Sequence, residues 1–178
     1  MGNPIRVCLV GAGRVENVHA TSLVNHVPSG SLVAVVDNNQ EALHALADQY
    51  EISERFQSID QALDEAEFEA VVITTPTFTH TKLAVSAASA GKHILLEKPM
   101  ALNLEECDQI IAAAEKGNVF LQLAFMRRFD PEFVSAAERI AAGEIGQPMM
   151  IKSLTHGPGL PPPWARDLST SNGNLAEV

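Results

Sequence analysis

The chain has 178 residues, of which 46% are hydrophobic and 19% are charged, and its formal net charge is −10. This length suits one well-packed domain with the beginning of a second. The acidic balance excludes an extended nucleic-acid or anionic-membrane surface, because both partners require clustered Lys and Arg. No apolar run reaches the roughly 18 residues that span a bilayer, and no basic signal region follows Met1. We therefore expect a cytoplasmic protein that binds small molecules.

The two cysteines give no support to a disulfide framework or a metal cluster. Cys8 lies in an apolar strand pattern and Cys107 in a helical pattern. A free cysteine in such a place behaves as a small buried hydrophobic residue. We expect both to be structural and expect no metal site.

Short apolar segments rich in β-branched residues alternate with helical patterns along most of the chain. The predicted strands are 5–10, 32–36, 70–74, 93–96 and 119–124. Continuous apolar strands are typical of a parallel sheet that helices cover on both faces. The alternation therefore predicts an α/β fold with a doubly wound parallel sheet of the Rossmann type.

Helix starts support this alternation. Three pairs have the spacing of a capping box, in which a polar cap precedes Glu or Gln by three residues: Asn38 with Glu41, Ser58 with Gln61, and Asn103 with Glu106. Asp130 followed by Pro131 predicts a further start, with proline at the first helical position.

A glycine-containing turn lies between the first predicted strand and helix, with the sequence Gly11-Ala12-Gly13-Arg14-Val15-Glu16. The first glycine permits a tight turn, and the second lets backbone N–H groups approach a diphosphate at the positive end of a helix. Glu16 stands where a third glycine is common, which predicts looser helix packing and negative charge near the phosphates. We interpret Gly11, Gly13, Arg14 and Val15 as a phosphate-binding turn; a flexible turn without a ligand is the alternative.

Asp37 follows the second predicted strand, where a carboxylate can accept hydrogen bonds from the ribose hydroxyls of an adenosine. We group the adjacent Asn38 with it as cofactor-binding. The carboxylate would repel a 2′-phosphate, so the sequence predicts NAD as the cofactor. Arg14 keeps NADP open as the less favoured cofactor.

Polar residues also follow the third and fourth strands of the alternation, where ligands collect in open parallel sheets. One strand ends in Thr74-Thr75-Pro76, with His80 shortly after, and the next ends in Glu97-Lys98-Pro99. The structural alternatives are a threonine helix cap, a surface histidine and a solvated Glu/Lys pair.

These residues resemble the glucose-fructose oxidoreductase and inositol dehydrogenase family, also called Gfo/Idh/MocA. The matching elements are Gly11-Ala12-Gly13-Arg14 with His19-Ala20, Thr75-Pro76-x-x-x-His80, Glu97-Lys98-Pro99-Met100-Ala101 and Phe125-Met126-Arg127-Arg128-Phe129-Asp130. Their order and spacing extend over nearly the whole chain, and the Glu-Lys-Pro element is the most specific.

The resemblance implies roles for the residues at the strand ends. Thr74, Thr75, Pro76 and His80 would line the nucleotide and the nicotinamide ribose, although a satisfied structural histidine stays open for His80. Glu97 would contact the nicotinamide ribose region. Lys98 would hydrogen-bond the substrate hydroxyl, where its ammonium also stabilises developing alkoxide charge.

The C-terminal part resembles the beginning of the family's second domain. The resemblance divides the chain into a dinucleotide-binding domain, 1–125, and an incomplete α+β substrate and oligomerisation domain, 126–178. Within the second part we predict a helix at 130–142, a strand at 147–155 and a Gly/Pro-rich loop at 157–163. An unpaired strand there would invite edge pairing with another copy, so we expect a homo-oligomer.

Two further site assignments come from the resemblance. Trp164 and Arg166 look like the segment that closes over the nicotinamide, with an ordinary packing contact as the alternative. Glu177 takes the acidic position of a family motif whose acid/base histidine would lie three residues beyond Val178. We therefore expect an incomplete catalytic apparatus in this chain. A shortened chain, a non-catalytic binding protein and a chain completed by a separate partner remain open.

The resemblance implies an NAD-dependent dehydrogenase that transfers hydride between nicotinamide and a sugar, an inositol or a related polyol. Removing hydride from an alcohol also requires a base for the hydroxyl proton, which is the part expected to be missing. The alternatives are a dinucleotide-binding protein without chemistry and a relative that uses bound NAD transiently to cleave glycosides.

Overall fold

The computed structural model describes residues 3–154, 163–167 and 169–171, apart from the side chains of Arg14 and Glu16. Its strands are β1 (Ile5–Val10), β2 (Gly30–Val36), β3 (Glu54–Phe56), β4 (Ala70–Ile73), β5 (His93–Leu96) and β6 (Leu121–Leu123). Its helices are α1 (Arg14–Asn25), α2 (Gln40–Gln49), α3 (Ile59–Glu65), α4 (His80–Ser89), α5 (Leu104–Gly117) and α6 (Pro131–Ala141). Short 3-10 turns occupy Thr77–Thr79, Met126–Arg128 and Pro163–Arg166.

The six strands form one parallel sheet in the order β3-β2-β1-β4-β5-β6. The chain adds strands outward from β1 in one direction and outward from β4 in the other. The two directions diverge between β1 and β4, which creates a crevice beyond the carboxyl ends of these strands. The predicted doubly wound parallel sheet is confirmed.

Helices cover both faces of this sheet, as the continuous apolar strands require. On β1, Cys8 and Val10 belong to a hydrophobic cluster that includes residues of α3, α4 and α5. The alternate residues, Val7 and Leu9, belong to a second cluster with residues of α1 and α2. Leu9 is completely buried, so the core lies on both sides of the central strands.

The helix starts follow the sequence prediction with one change of register. The side chains of Ser58, Asn103 and Asp130 accept backbone hydrogen bonds at the starts of α3, α5 and α6, as predicted. The predicted cap Asn38 is wrong, because Asn39 caps α2 by accepting from the N–H groups of Glu41 and Ala42. Asp37 accepts from the N–H of Asn39 at 2.7 Å, which holds the chain extended for one residue longer.

Two strands differ from the prediction. The edge strand β3 was not predicted, because it has three residues and one buried side chain, that of Phe56. The predicted strand at 147–155 is wrong over 147–154, where the structure has no strand, and Thr155 lies outside the described residues. A strand requires a neighbour for its hydrogen bonds, and an apolar alternation cannot supply one by itself.

The chain after β6 leaves a large apolar surface exposed. No residue of α6 is buried, although the helix is amphipathic and carries Phe133 and Ile140. Met149, Met150 and Ile151 follow it with more than four fifths of their surface exposed. Within the described ranges, no helix is long and apolar enough to cross a membrane.

Candidate functional site

The glycine turn after β1 adopts the conformation that its sequence predicts. Gly11 has φ +114°, a value that residues with a side chain rarely adopt, and its N–H donates to the carbonyl of Val36 at 2.8 Å. Gly13 is the N-cap of α1, and no side chain accepts a hydrogen bond at this cap. The first N–H groups of α1 therefore face the crevice beside β1, in the arrangement that binds a diphosphate.

Asp37 lies directly against this turn. Its Oδ2 atom accepts a hydrogen bond from the N–H of Ala12 at 2.7 Å, and its Oδ1 atom accepts from Asn39 at 2.7 Å. A carboxylate oxygen can accept two hydrogen bonds, so each oxygen of this half-buried group retains capacity for a ribose hydroxyl. Asn38 is exposed beside it, and Val15 is 43% exposed on the first turn of α1.

The residues after β4 form a compact network at the opposite side of the crevice. The hydroxyl of Thr74 donates to the carbonyl of Val10 at 3.0 Å, which joins the ends of β4 and β1. Thr75 and Thr79 share a hydrogen bond of 2.6 Å between their hydroxyl oxygens, and Thr79 also donates to the carbonyl of Pro76. Thr75 and Pro76 are partly exposed, whereas Thr74 is buried.

His80 is buried, although the resemblance implied that it lines the cofactor together with Thr75 and Pro76. Its side chain is 1% exposed. Its Nε2 atom lies 2.8 Å from the carbonyl oxygen of Thr75, and its Nδ1 atom lies 2.9 Å from that of Pro99. A side chain this enclosed has no surface for a ligand, so we favour the structural alternative. His80 supports the two loops that follow β4 and β5.

Glu97 and Lys98 begin directly after β5, and the backbone N–H of Glu97 donates to the carbonyl of Ile73 at 2.9 Å. The Glu97 carboxylate pairs with Nε2 of His19 at 2.8 Å and accepts from the N–H of Lys98 at 3.1 Å. Partial burial acts to raise the pKa of Glu97, but the hydrogen bond and charge of His19, with the N–H and charge of Lys98, outweigh it. The pKa of Glu97 therefore lies below its ordinary value, and the group is ionised at neutral pH.

The structure also places His19 in this site, a residue for which the sequence predicted no role. The residue lies one helical turn before Leu23, whose side chain packs against the core, so His19 is on the inward side of α1. A polar residue on an inward stripe requires a polar partner. That requirement is the signal in the sequence that points to a partner such as Glu97.

Three of the remaining predicted residues, Trp164, Arg166 and Glu177, lie in the C-terminal part of the chain. Trp164 is half-buried in the turn Pro163–Arg166, where its carbonyl accepts a hydrogen bond from Thr170 at 2.6 Å, and Arg166 is exposed. Their closure over the nicotinamide stays a prediction. Glu177 lies outside the described residues, as does the side chain of Arg14.

The arrangement fits a dinucleotide. Three features lie at one edge of the sheet. They are the backbone N–H groups at the start of α1, the carboxylate that follows β2, and the polar side chains that follow β4 and β5. These features define a dinucleotide-binding domain of the doubly wound class. The sequence profile of the Gfo/Idh/MocA oxidoreductase family, whose hallmark is an NAD-binding Rossmann fold, matches residues 5–125. The chain belongs to this family of oxidoreductases with an NAD-binding Rossmann fold.

Curated relatives and solved structures agree with this assignment. The chain is 38% identical over 162 residues to a scyllo-inositol 2-dehydrogenase (NAD(+)) of Bacillus subtilis, covering 91% of this chain and 47% of the relative. It is similar to the crystal structure of scyllo-inositol dehydrogenase from Lactobacillus casei with bound NAD(H) and scyllo-inositol, with a TM-score of 0.78 and 30% identity. That similarity covers 81% of this chain and 43% of the other.

A third similar protein is in complex with a different type of ligand. The WlbA dehydrogenase from Bordetella pertussis, in complex with NADH and UDP-GlcNAcA, has a TM-score of 0.77 and 30% identity, covering 81% of this chain and 44% of that structure. The chain spans about half the length of the curated relatives that it matches.

Proposed function

We propose that this chain supplies the NAD-binding half of a dehydrogenase that moves hydride between NAD and a hydroxyl-bearing carbon of an inositol, a sugar or a related polyol. The observation that carries the proposal is the shared edge of the sheet, where the glycine turn, Asp37 and the Glu97-Lys98 pair follow β1, β2 and β5. The inositol dehydrogenases among the relatives support the substrate class.

Each residue has a distinct task in this proposal. The N–H groups at the start of α1 hold the diphosphate, and Asp37 accepts hydrogen bonds from the adenosine ribose. Thr75, Pro76 and Glu97 line the nicotinamide ribose. The bound nicotinamide supplies the acceptor for the hydride. Lys98 orients the substrate hydroxyl and stabilises negative charge on its oxygen through an ammonium group.

The C-terminal part completes the proposal. We assign 1–125 to the dinucleotide-binding domain and 126–178 to the beginning of the substrate domain, a division supported by the end of the family match at residue 125. Trp164 and Arg166 close over the nicotinamide, and Glu177 contributes to acid/base chemistry. The exposed apolar surface after β6 supports burial against further protein, including a homo-oligomeric partner.

Calorimetric titration of the 178-residue chain with NAD and NADP tests the proposal. We expect NAD to bind, NADP to bind more weakly, and turnover of polyols by this chain to be slow or absent. Asp37→Ala weakens NAD binding. Equal NAD affinity in the wild-type chain and the variant would overturn the ribose assignment.

Product analysis on a full-length protein that contains this chain separates two reaction types. Net accumulation of NADH from a polyol supports the dehydrogenase. Cleavage of a glycoside without a net change in the cofactor contradicts it.

A further inference from the structure

His19 and Glu97 come from opposite sides of the crevice. His19 lies on α1, which leads from β1 to β2, and Glu97 follows β5 beyond β4. The bond of 2.8 Å between Nε2 and Oε1 therefore extends across the point where the strand order diverges. It joins the helix that starts at the glycine turn to the strand end that carries Lys98.

Two contacts fix the orientation of the Glu97 carboxylate. One oxygen is held by His19, and the other accepts from the backbone N–H of Lys98 at 3.1 Å. The side chains of His19 and Glu97 are 21% and 20% exposed, so water competes weakly for this pair. Without His19, the carboxylate would lose the hydrogen bond that offsets its partial burial.

We infer that His19 is a positioning residue, which holds Glu97 toward the nicotinamide ribose and couples the diphosphate turn to the strand end that carries Lys98. This inference rests on the proposed function, because Glu97 acts on the cofactor there. His19 itself contacts Glu97 and has no role in the chemical step. The bridge lets binding at the diphosphate end fix the geometry at the nicotinamide end.

The test combines NAD calorimetry with NMR titration of the Glu97 side-chain carboxyl carbon. In His19→Ala we expect the pKa of Glu97 to rise above its wild-type value, because the hydrogen bond and charge of His19 that favour the ionised carboxylate are gone. Among the described side chains, the charged groups that influence Glu97 are His19 and Lys98, and of these two Lys98 remains in this variant. We also expect the Kd for NAD to rise about tenfold, the effect of one hydrogen bond to a charged group.

Two further variants separate positioning from a general structural effect. His19→Gln places an amide N–H near the position of Nε2, so it restores most of the NAD affinity that His19→Ala loses. His26→Ala removes an exposed histidine just after the same helix and leaves both measurements unchanged. Should His19→Ala fail to fold, the wild-type titration and the NAD affinity of His19→Gln relative to the wild type decide the question, and a His19→Gln chain that folds but binds NAD about tenfold more weakly overturns the inference.

Several results overturn the inference. One such result is a Glu97 carboxyl that titrates at the same pH in the wild type and in His19→Ala. Another is an unchanged NAD affinity in His19→Ala. The inference is also overturned if a folded His19→Gln chain binds NAD no better than His19→Ala. A pKa of Glu97 at or above its ordinary value in the wild-type chain overturns it too. If the wild-type chain does not bind NAD, the proposed function fails instead, and the carboxyl titration still reports whether the bridge exists.

Discussion

The carboxylate of Asp37 accepts a hydrogen bond from the backbone N–H of Ala12 at 2.7 Å. The acidic residue that follows β2 therefore also holds the glycine turn that follows β1. In the proposed binding mode, the residue assigned to the ribose thus also supports the turn assigned to the diphosphate, and we expect a change at Asp37 to affect both.

Substitutions at Asp37 separate its two tasks. Asp37→Ala removes the ribose acceptor and the support of Ala12, so we expect the Kd for NAD to rise about ten- to hundredfold. Asp37→Asn keeps one side-chain oxygen for Ala12 and loses the charge, so its loss is smaller and its preference for NAD over NADP is weaker. Calorimetry with both cofactors measures these effects, and Asp108→Ala, at an exposed position on α5, is the control. Full NAD affinity in Asp37→Ala contradicts the prediction.

Gly11 is the position where the turn depends on the absence of a side chain. Its φ of +114° disfavours any residue with a Cβ atom, and Gly11→Ala should cost about 1–3 kcal/mol of stability. We expect a lower Tm and weaker NAD binding. Gly30→Ala in β2 is the matched control, because a Cβ atom there meets Leu23 and Val27 at ordinary contact distances of 3.4 Å. Equal Tm values for the two variants would show that the turn tolerates a side chain.

The start of α2 offers a test of the corrected helix cap. Asn39→Ala removes the acceptor for two backbone N–H groups and should lower the free energy of unfolding by about 0.5–2 kcal/mol. Asn38→Ala, one residue earlier and exposed, should change it by less than about 0.5 kcal/mol. Urea denaturation of both variants measures the difference. A larger loss of unfolding free energy in Asn38→Ala than in Asn39→Ala would show that Asn38 is the cap, as the sequence predicted.

The two thiols differ in reactivity because their surroundings differ. Burial raises the pKa of Cys8 to about 12, so almost no thiolate forms there at neutral pH. Cys107 is partly exposed, and burial, followed by the charges of Asp108 and Glu106, raises its pKa as well. We expect slow labelling of Cys107 in the native chain and labelling of Cys8 only on unfolding. The variant Cys107→Ser isolates Cys8, and rapid labelling of that variant without denaturant refutes the prediction.

The sequence predicted the elements whose own residues determine them. Central strands such as Ile5–Val10 are apolar on both faces because two clusters bury them, and Gly11, Asp37 and Lys98 follow strand ends that are visible in the sequence. Features that depend on a partner were missed or misplaced. The short edge strand β3 takes its hydrogen bonds from β2, and the pairing of His19 with Glu97 joins residues 78 positions apart.

The region after β6 also shows that a strand cannot be predicted without its partner. Residues 147–154 have a strand-like apolar pattern, but no strand in the described part of the chain pairs with them. The pattern of α6 was interpreted correctly because a helix satisfies its own backbone hydrogen bonds. A strand prediction is secure where a neighbouring strand is also predicted.

The ring of His80 lies between the carbonyl oxygens of Thr75 and Pro99, which belong to the loops after two adjacent strands, and a neutral imidazole donates its single N–H to one of them. A shift of one loop against the other disturbs the packing around this buried ring, and loss of its hydrogen bond costs about 1–3 kcal/mol. We therefore expect the loops after β4 and β5 to move together rather than separately.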